Sequence, residues 1–267
     1  MKVTLLDYTG KGAMKNGGPL LGLANDADYA IDLLIFTKST RLTMHPGLLD
    51  EIKDWPLDKK MEELKYMANT IPSSWEFVDY TFMVEGVTRA FTHQFVRSRQ
   101  FSFAQQTMRV LDVSEGAGWD YLAGPTVKEE GDPIAGPGII YKNMMKNIGD
   151  AYKLMIGRGA KVEDARGLLP TNILTNIVGK CNMRTFVELV RKRSSPRTQN
   201  EYRDVLDAMK AAVREVHPWI DLFIERDIDK AIADLQEKIN RLRELPNFNQ
   251  DEVTQMTKLL DQIRAQS

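Results

Sequence analysis

The chain has 267 residues, 36 Lys and Arg against 37 Asp and Glu, and a formal net charge of −1. A balance this close to zero excludes a general polyanion binder or an acidic solvating segment as the character of the whole chain. With 43% hydrophobic and 27% charged residues, the composition is globular, and the length suffices for a core without metal or disulfide staples.

Cys181 is the one cysteine and cannot make an internal disulfide. The opening MKVTLLDYTG lacks the pattern of a secretory leader, and no apolar run approaches the roughly 20 residues that span a bilayer. A reducing, cytoplasmic setting and no membrane partner are expected.

Residues 3–8 (VTLLDY) are apolar and β-branched and predict a strand, closed by the loop TGKGAMKNGG. Between Asp26 and Thr37, Ala30, Leu33, Leu34 and Phe36 recur at helical spacing. The stretch 59–69 offers Met61, Leu64 and Met67 on one face of a further helix, which ends at Pro72. FVDYTFMVEG (77–86) alternates and predicts a strand stopped by Gly86. From Val87 to Arg97, Val87, Ala90, Phe91 and Phe95 predict a helix with Arg89, His93 and Arg97 along another face.

SRQFSFAQQ then reads as a loop and TMRVLDV (107–113) as a second strand. Eight Gly or Pro residues within 114–137 mark an irregular excursion, and helical spacing returns from Gly138 to about Leu154. Helices are predicted over 183–193, with Phe186, Leu189 and Val190 inward, and over 199–216, with Tyr202, Val205, Leu206, Met209, Val213 and Val216 inward. After Asp227 an amphipathic helix carries Ile232, Leu235, Ile239, Leu242 and Leu245 near heptad spacing, breaks near Pro246 and resumes. It suits a neighbouring subunit or its own domain equally.

Charge is unevenly spread. Between Gly86 and Leu111 stand Arg89, Arg97, Arg99 and Arg109 with no acid, a local +4. From Lys180 to Arg203 seven cations face Glu188 and Glu201, a local +5. Arginine predominates in both, which favours bidentate contact with phosphate or carboxylate. A solvated helix face accounts for Arg191 and Lys192. It accounts poorly for Arg97, Arg99 and Arg109, which are interleaved with Ser102, Gln105, Gln106 and Thr107, and a small anionic heterocycle such as a nucleotide is the natural ligand.

The familiar catalytic signatures are missing: no Walker loop, no G-x-G-x-x-G, no HExxH, and only His45, His93 and His217 as histidines, so no metal site is expected. Cys181 reads as buried filler, and Ser98 or Ser102 near His93 lacks the elbow of a hydrolase. Redox or carbon-transfer chemistry then requires a bound cofactor.

The run EGVTRAFTHQFVRSRQFSFAQQTMRV (85–110) resembles the signature region of the flavin-dependent thymidylate synthases, R-H-R, seven residues, Ser. Here it stands as Arg97-Ser98-Arg99, seven residues, Thr107. VTLLDYTG, LLIFTKSTRL, EDARGLLP (163–170) and NMRTFVELVRKRSSPRTQNEYR (182–203) followed by Pro218-Trp219 also match. The resemblance covers residues 1–225 and leaves 226–267 as a C-terminal helical extension.

The resemblance implies an α/β (α+β) fold with a central sheet flanked by helices, a homotetramer with FAD at subunit interfaces, and reductive C5 methylation of dUMP. Methylenetetrahydrofolate and NADPH are the implied co-substrates. Carried over by position, dUMP would be held by Gln94, Phe95, Val96, Arg97, Gln105, Gln106, Thr107, Met108, Arg109 and Arg166, with Arg193 against the pyrimidine to stabilise its ionised N3. FAD would be held by Ser73, Arg97, Ser98, Arg99, Gln100, Gln105, Asn182, Met183, Arg184 and Glu188.

Ser98 for His, Thr107 for Ser, Phe77 for a frequent His and Val110 for Tyr depart from the family pattern. Thr107 keeps a hydroxyl, whereas Ser98 removes an imidazole from the flavin's surroundings. Alternatives are an enzyme modifying C5 of UMP or dCMP, one that installs hydroxymethyl, an inactive flavoprotein, or a non-catalytic nucleotide-binding or nucleic-acid-binding protein. The last would need a long basic stripe with interleaved aromatics that the charge balance does not supply.

Overall fold

The computed structural model describes residues 1–11, 26–40, 42–109, 120–127, 136–193, 197–225, 227–243 and 249–266. In chain order the strands and helices are β1 Lys2–Tyr8, α1 Asp26–Ser39, α2 Leu48–Lys53, α3 Leu57–Thr70, β2 Asp79–Thr88, α4 Arg89–Phe95 and β3 Ser102–Gln105. They continue as α5 Pro137–Gly157, α6 Val162–Ala165, β4 Leu174–Asn182, α7 Met183–Arg193, α8 Asn200–Val216, α9 Asp221–Ile224, α10 Asp227–Arg243 and α11 Gln250–Gln266. Two compact units form, one from Met1–Lys11 with Asp79–Val213, the other from Gly12–Val78 with Arg214–Ser267. The fold is mixed α and β.

The first unit is built on an antiparallel sheet of order β1-β2-β4-β3. Alternation along β2 buries Tyr80, Phe82 and Val84, opposite Cys181, Gly179 and Ile177 of β4. Phe186 of α7 stacks on Phe82 at 5.7 Å and meets Tyr80 edge-on at 5.5 Å. Phe95 of α4 lies among Phe91, Phe101, Phe103 and Tyr202, with ring centroids 5.0–6.2 Å away. Gly179 makes that approach possible, since a Cβ there would already stand 3.4 Å from the Phe95 ring.

Strand β2 passes into α4 through a register shift between Val84 and Val87, with Gly86 at φ +65°. Thr88 then caps the helix: its Oγ1 accepts from Phe91 N at 3.0 Å while donating to Glu201 at 2.6 Å.

Two strands differ from the sequence reading. β3 lies at Ser102–Gln105, inside the stretch read as loop, and residues 107–109 are not strand; 110–113 fall outside the described residues. The sheet stops because Gln106 N still reaches Asn176 O at 3.1 Å, after which Thr107 Oγ1 accepts from Arg109 N at 3.2 Å and closes a local turn. β4 was not foreseen. Of its inward residues, Thr175, Gly179 and Cys181 are small or polar and only Ile177 is large and apolar, while Leu174 and Val178 lie on the other face, so its alternation is nearly silent in hydropathy.

In the second unit, α1 and α3 bury Ala30, Leu34, Ile35, Leu64 and Met67, mostly the periodicity expected of them. Asp32 and Lys60 join that interior as an ion pair at 2.6 Å. A 3₁₀ turn, Pro72–Phe77, places Trp75 edge-on to Phe223 at 5.1 Å. Ile239, Val253 and Leu260 form the core between α10 and α11, while Leu235 and Leu242 are exposed. The expected break near Pro246 lies outside the described residues, and the expected boundary at 225/226 falls between α9 and α10.

Candidate functional site

A cavity of about 400 Å³ in the first unit is lined by Arg89, His93, Gln105–Met108, Arg166, Leu169–Thr171 and Ile173. Each wall has a structural cause. Arg89 and His93 stand one helical turn apart on α4, whose first N–H groups donate to Ile173 O (3.1 Å) and Thr171 O (2.7 Å). Gln105 ends β3, and its Nε2 donates to Thr92 Oγ1 at 2.8 Å. Met108 packs on the buried group Tyr152, Ala165 and Ile173, which anchors the chain leaving the strand. Arg166 follows α6, with its Nε donating to Glu163 O at 3.1 Å.

The electrostatics are those of an anion receptor. Among the described residues, no lining side chain is a carboxylate. Burial pushes the Arg89 guanidinium below its usual pKa, and nearby Arg166 pushes in the same direction. Thr107, Gln105 and Gln106 add neutral hydrogen-bonding groups, which suit a phosphate and a heterocycle together.

Five residues expected at the nucleotide, Gln105, Gln106, Thr107, Met108 and Arg166, line this cavity. Arg109 lines an adjoining hollow with Lys161, Val162 and Glu163, and its Nε lies 3.2 Å from Glu163 Oε2. Gln94 donates to Gln199 Oε1 at 2.5 Å. Phe95 is wholly buried in the aromatic core, so only its backbone can meet a ligand, whereas Val96 and Arg97 are exposed. Arg193 ends α7 with its guanidinium 5.2 Å from the Tyr202 ring centre. Burial pushes the Tyr202 hydroxyl up in pKa, and Ser98 and Arg193 beside it pull it part of the way back.

Residues expected at FAD group around the turn after α4 and the start of α7. Phe101 N donates to Ser98 O at 3.0 Å, and Arg97, Arg99 and Gln100 are exposed. Thr185 Oγ1 donates to Gln100 Oε1 at 3.5 Å, which sets this turn against the first turn of α7, where Asn182 Oδ1 accepts from Thr185 N at 2.9 Å. Met183 is wholly buried, and Arg184 pairs with Glu188 at 3.2 Å. Ser73 lies in the second unit, on the Pro72–Phe77 turn. A helix N-terminus beside Arg97, Arg99 and Arg184 is a donor set that fits a dinucleotide's pyrophosphate.

Arg89 and His93 were not among the expected ligands. The signal was present, because Arg89 belongs to the +4 run and shares a helix face with His93, but the resemblance assigns neither a role.

Residues 39–219 match the family model described as "Thymidylate synthase complementing protein". The chain belongs to the flavin-dependent thymidylate synthase family. It is 33% identical over 195 residues to the flavin-dependent thymidylate synthase of Nitratidesulfovibrio vulgaris, covering 67% of this chain and 76% of that one. Against the enzyme of the same name from Clostridium tetani the identity is 30% over 202 residues, covering 69% and 78%.

Among solved structures, a UMP/dUMP methylase from Streptomyces cacaoi bound with 5-Br dUMP superposes with a TM-score of 0.63 at 16% identity, covering 83% of this chain and 93% of that one. The family match ends before α10 and α11.

Proposed function

We propose that this member of the family converts dUMP, methylenetetrahydrofolate, NADPH and a proton to dTMP, tetrahydrofolate and NADP⁺, with FAD as its cofactor. The observation that carries the reading is the cavity formed by Arg89, Arg166 and Gln105–Met108, with no carboxylate among its described lining residues, in a chain of this family. We assign residues 1–225 to the catalytic domain and 226–267 to a helical extension, acting as a homotetramer in the cytoplasm. Among the described residues no helix is long and apolar enough to cross a membrane.

In this reading Arg166 and Arg109 hold the phosphate dianion, and Gln94 and Thr107 complete its hydrogen bonds. Phe95, Val96, Arg97, Gln105, Gln106 and Met108 complete the nucleotide's surroundings. Arg193, steadied against the Tyr202 ring, faces the uracil and stabilises the charge left when N3 loses its proton. That charge raises electron density at C5, so no protein nucleophile is needed.

FAD, when bound, supplies electron transfer between NADPH and the one-carbon unit. The turn Arg97–Gln100, with Gln105, Asn182, Met183, Arg184 and Glu188, would hold it. Ser98, at the position of the family His, leaves that neighbourhood without an imidazole.

The test supplies dUMP, UMP and dCMP separately with NADPH, methylenetetrahydrofolate and FAD, and weighs the products. A gain of one methylene unit on dUMP is expected. Gain on UMP or dCMP alone reassigns the substrate, and a hydroxymethyl product reassigns the outcome. A protein that takes up no flavin and retards oligonucleotides in a salt-sensitive way overturns the reading.

A further inference from the structure

Arg89 is placed unlike any other cation of the cavity. Its Nη2 donates to the carbonyl of Gln106 at 2.6 Å, and its own backbone N–H is spent on Ile173 O at 3.1 Å. Its Nε is buried and, among the described residues, has no hydrogen-bond partner. Glu163, which lines the adjoining hollow, gives an oxygen to Arg109 and its backbone carbonyl to Arg166, and Glu201, beside the start of α4, is taken up by Thr88 N and Oγ1. Arg89 and Arg166 therefore face one cavity as like charges with no carboxylate among its described lining residues.

A buried guanidinium N–H without a partner costs free energy, and so does a second cation beside it. Both costs are relieved by one event, the arrival of an anion. A purely structural arginine would instead be expected to meet a carboxylate or a second carbonyl. The fixed end of Arg89 matters equally: by holding the Gln106 carbonyl it sets the backbone just before Thr107 and Met108, so ligand charge and loop geometry meet at one side chain.

We propose that Arg89 is a phosphate-binding residue of the nucleotide site, clamping the Gln106 carbonyl with Nη2 and receiving the nucleotide's phosphate, together with Arg166, through its Nε edge. This rests on the nucleotide reading given above. It adds to that reading a ligand on α4, and it makes the phosphate grip span a helix, the strand exit and the α6 turn.

The test is calorimetric titration of dUMP and of deoxyuridine into wild type, Arg89→Met and Arg89→Gln. Glutamine can keep the bond to Gln106 O without the charge, so it serves should Arg89→Met fail to fold. Wild type is expected to prefer dUMP, and the variants to lose about 10- to 100-fold in dUMP affinity while deoxyuridine binding stays within about twofold. Equal losses for both ligands mean that Arg89 only orders the Gln106 turn, and retention of the full preference for dUMP means that it does not meet the phosphate; either overturns the proposal and leaves the nucleotide reading standing. Wild type that binds neither dUMP, UMP nor dCMP overturns the nucleotide reading and the proposal with it.

Discussion

Asp32 and Lys60 in the second unit, and Arg89 and Arg166 in the first, are both pairs of ionisable side chains set close together, and they differ in sign. The first pair is 1% and 7% exposed, its charges meet at 2.6 Å, and Lys60 also donates to Lys53 O at 3.0 Å. Each charge has its partner inside the fold. The second pair shares a cavity with no acid among its described lining residues. Charge that serves the fold is matched within the chain, while charge that serves a ligand is left for the ligand to match.

Removing half of the matched pair should therefore have the largest effect. Asp32→Ala strands Lys60 in an apolar interior and is expected to cost about 3–5 kcal/mol of stability, read as a lowered midpoint in urea. The double variant Asp32→Leu, Lys60→Met should recover most of it. A single variant as stable as wild type breaks the comparison at its better-packed end.

Arg193→Ala is next. If its guanidinium stabilises the ionised pyrimidine, turnover should fall about 100- to 1000-fold, with dUMP affinity much less affected. Tyr202→Leu, which removes the ring 5.2 Å from that guanidinium, should lower kcat in the same direction by a smaller factor. Equal, small changes in kcat and KM from both would remove Arg193 from the chemistry.

At the unmatched pair the expected signs separate. Arg166→Ala should weaken dUMP binding by about 1.5–3 kcal/mol, yet leave unliganded stability unchanged or slightly raised, because Arg89 loses its like-charged neighbour. Asp32→Ala should do the reverse, losing stability without a specific loss of nucleotide affinity. Arg166→Ala that destabilises the free protein would show that the cavity's cations are structural.

These two pairs were unequally legible in sequence. Arg89 stood in an acid-free run, and four of the cavity's other residues stood side by side at 105–108, so the outline of an anion site was readable before any contact was known. The Asp32–Lys60 pair was not, because helical periodicity marks Asp32 and Lys60 only as polar positions, and their meeting depends on how α1 and α3 pack. β4 was missed for a related reason: Thr175, Gly179 and Cys181 face inward where a hydropathy reading looks for large apolar residues. Gly179 in particular looks like a breaker, and it is the contact point for Phe95.

Cys181 shows a third way to handle an ionisable group, keeping it neutral, and it has the mildest consequence. The thiol is 4% exposed on β4, and burial, with Asp79 second, pushes its pKa well above the ordinary 9.0. In the unfolded chain it ionises near that ordinary value, so above pH 9.0 the native state holds a proton that the unfolded state has lost. Stability contributed by the neutral thiol is then complete below pH 9.0 and falls as pH rises past it, approaching about 1.4 kcal/mol per pH unit for one proton. Tyr80 is shifted in the same direction, but its share begins only near its ordinary 10.0. Urea midpoints followed from below pH 9.0 to pH 10.0 should fall in wild type and much less in Cys181→Ala. Parallel curves for the two proteins would mean that the thiol ionises as readily folded as unfolded.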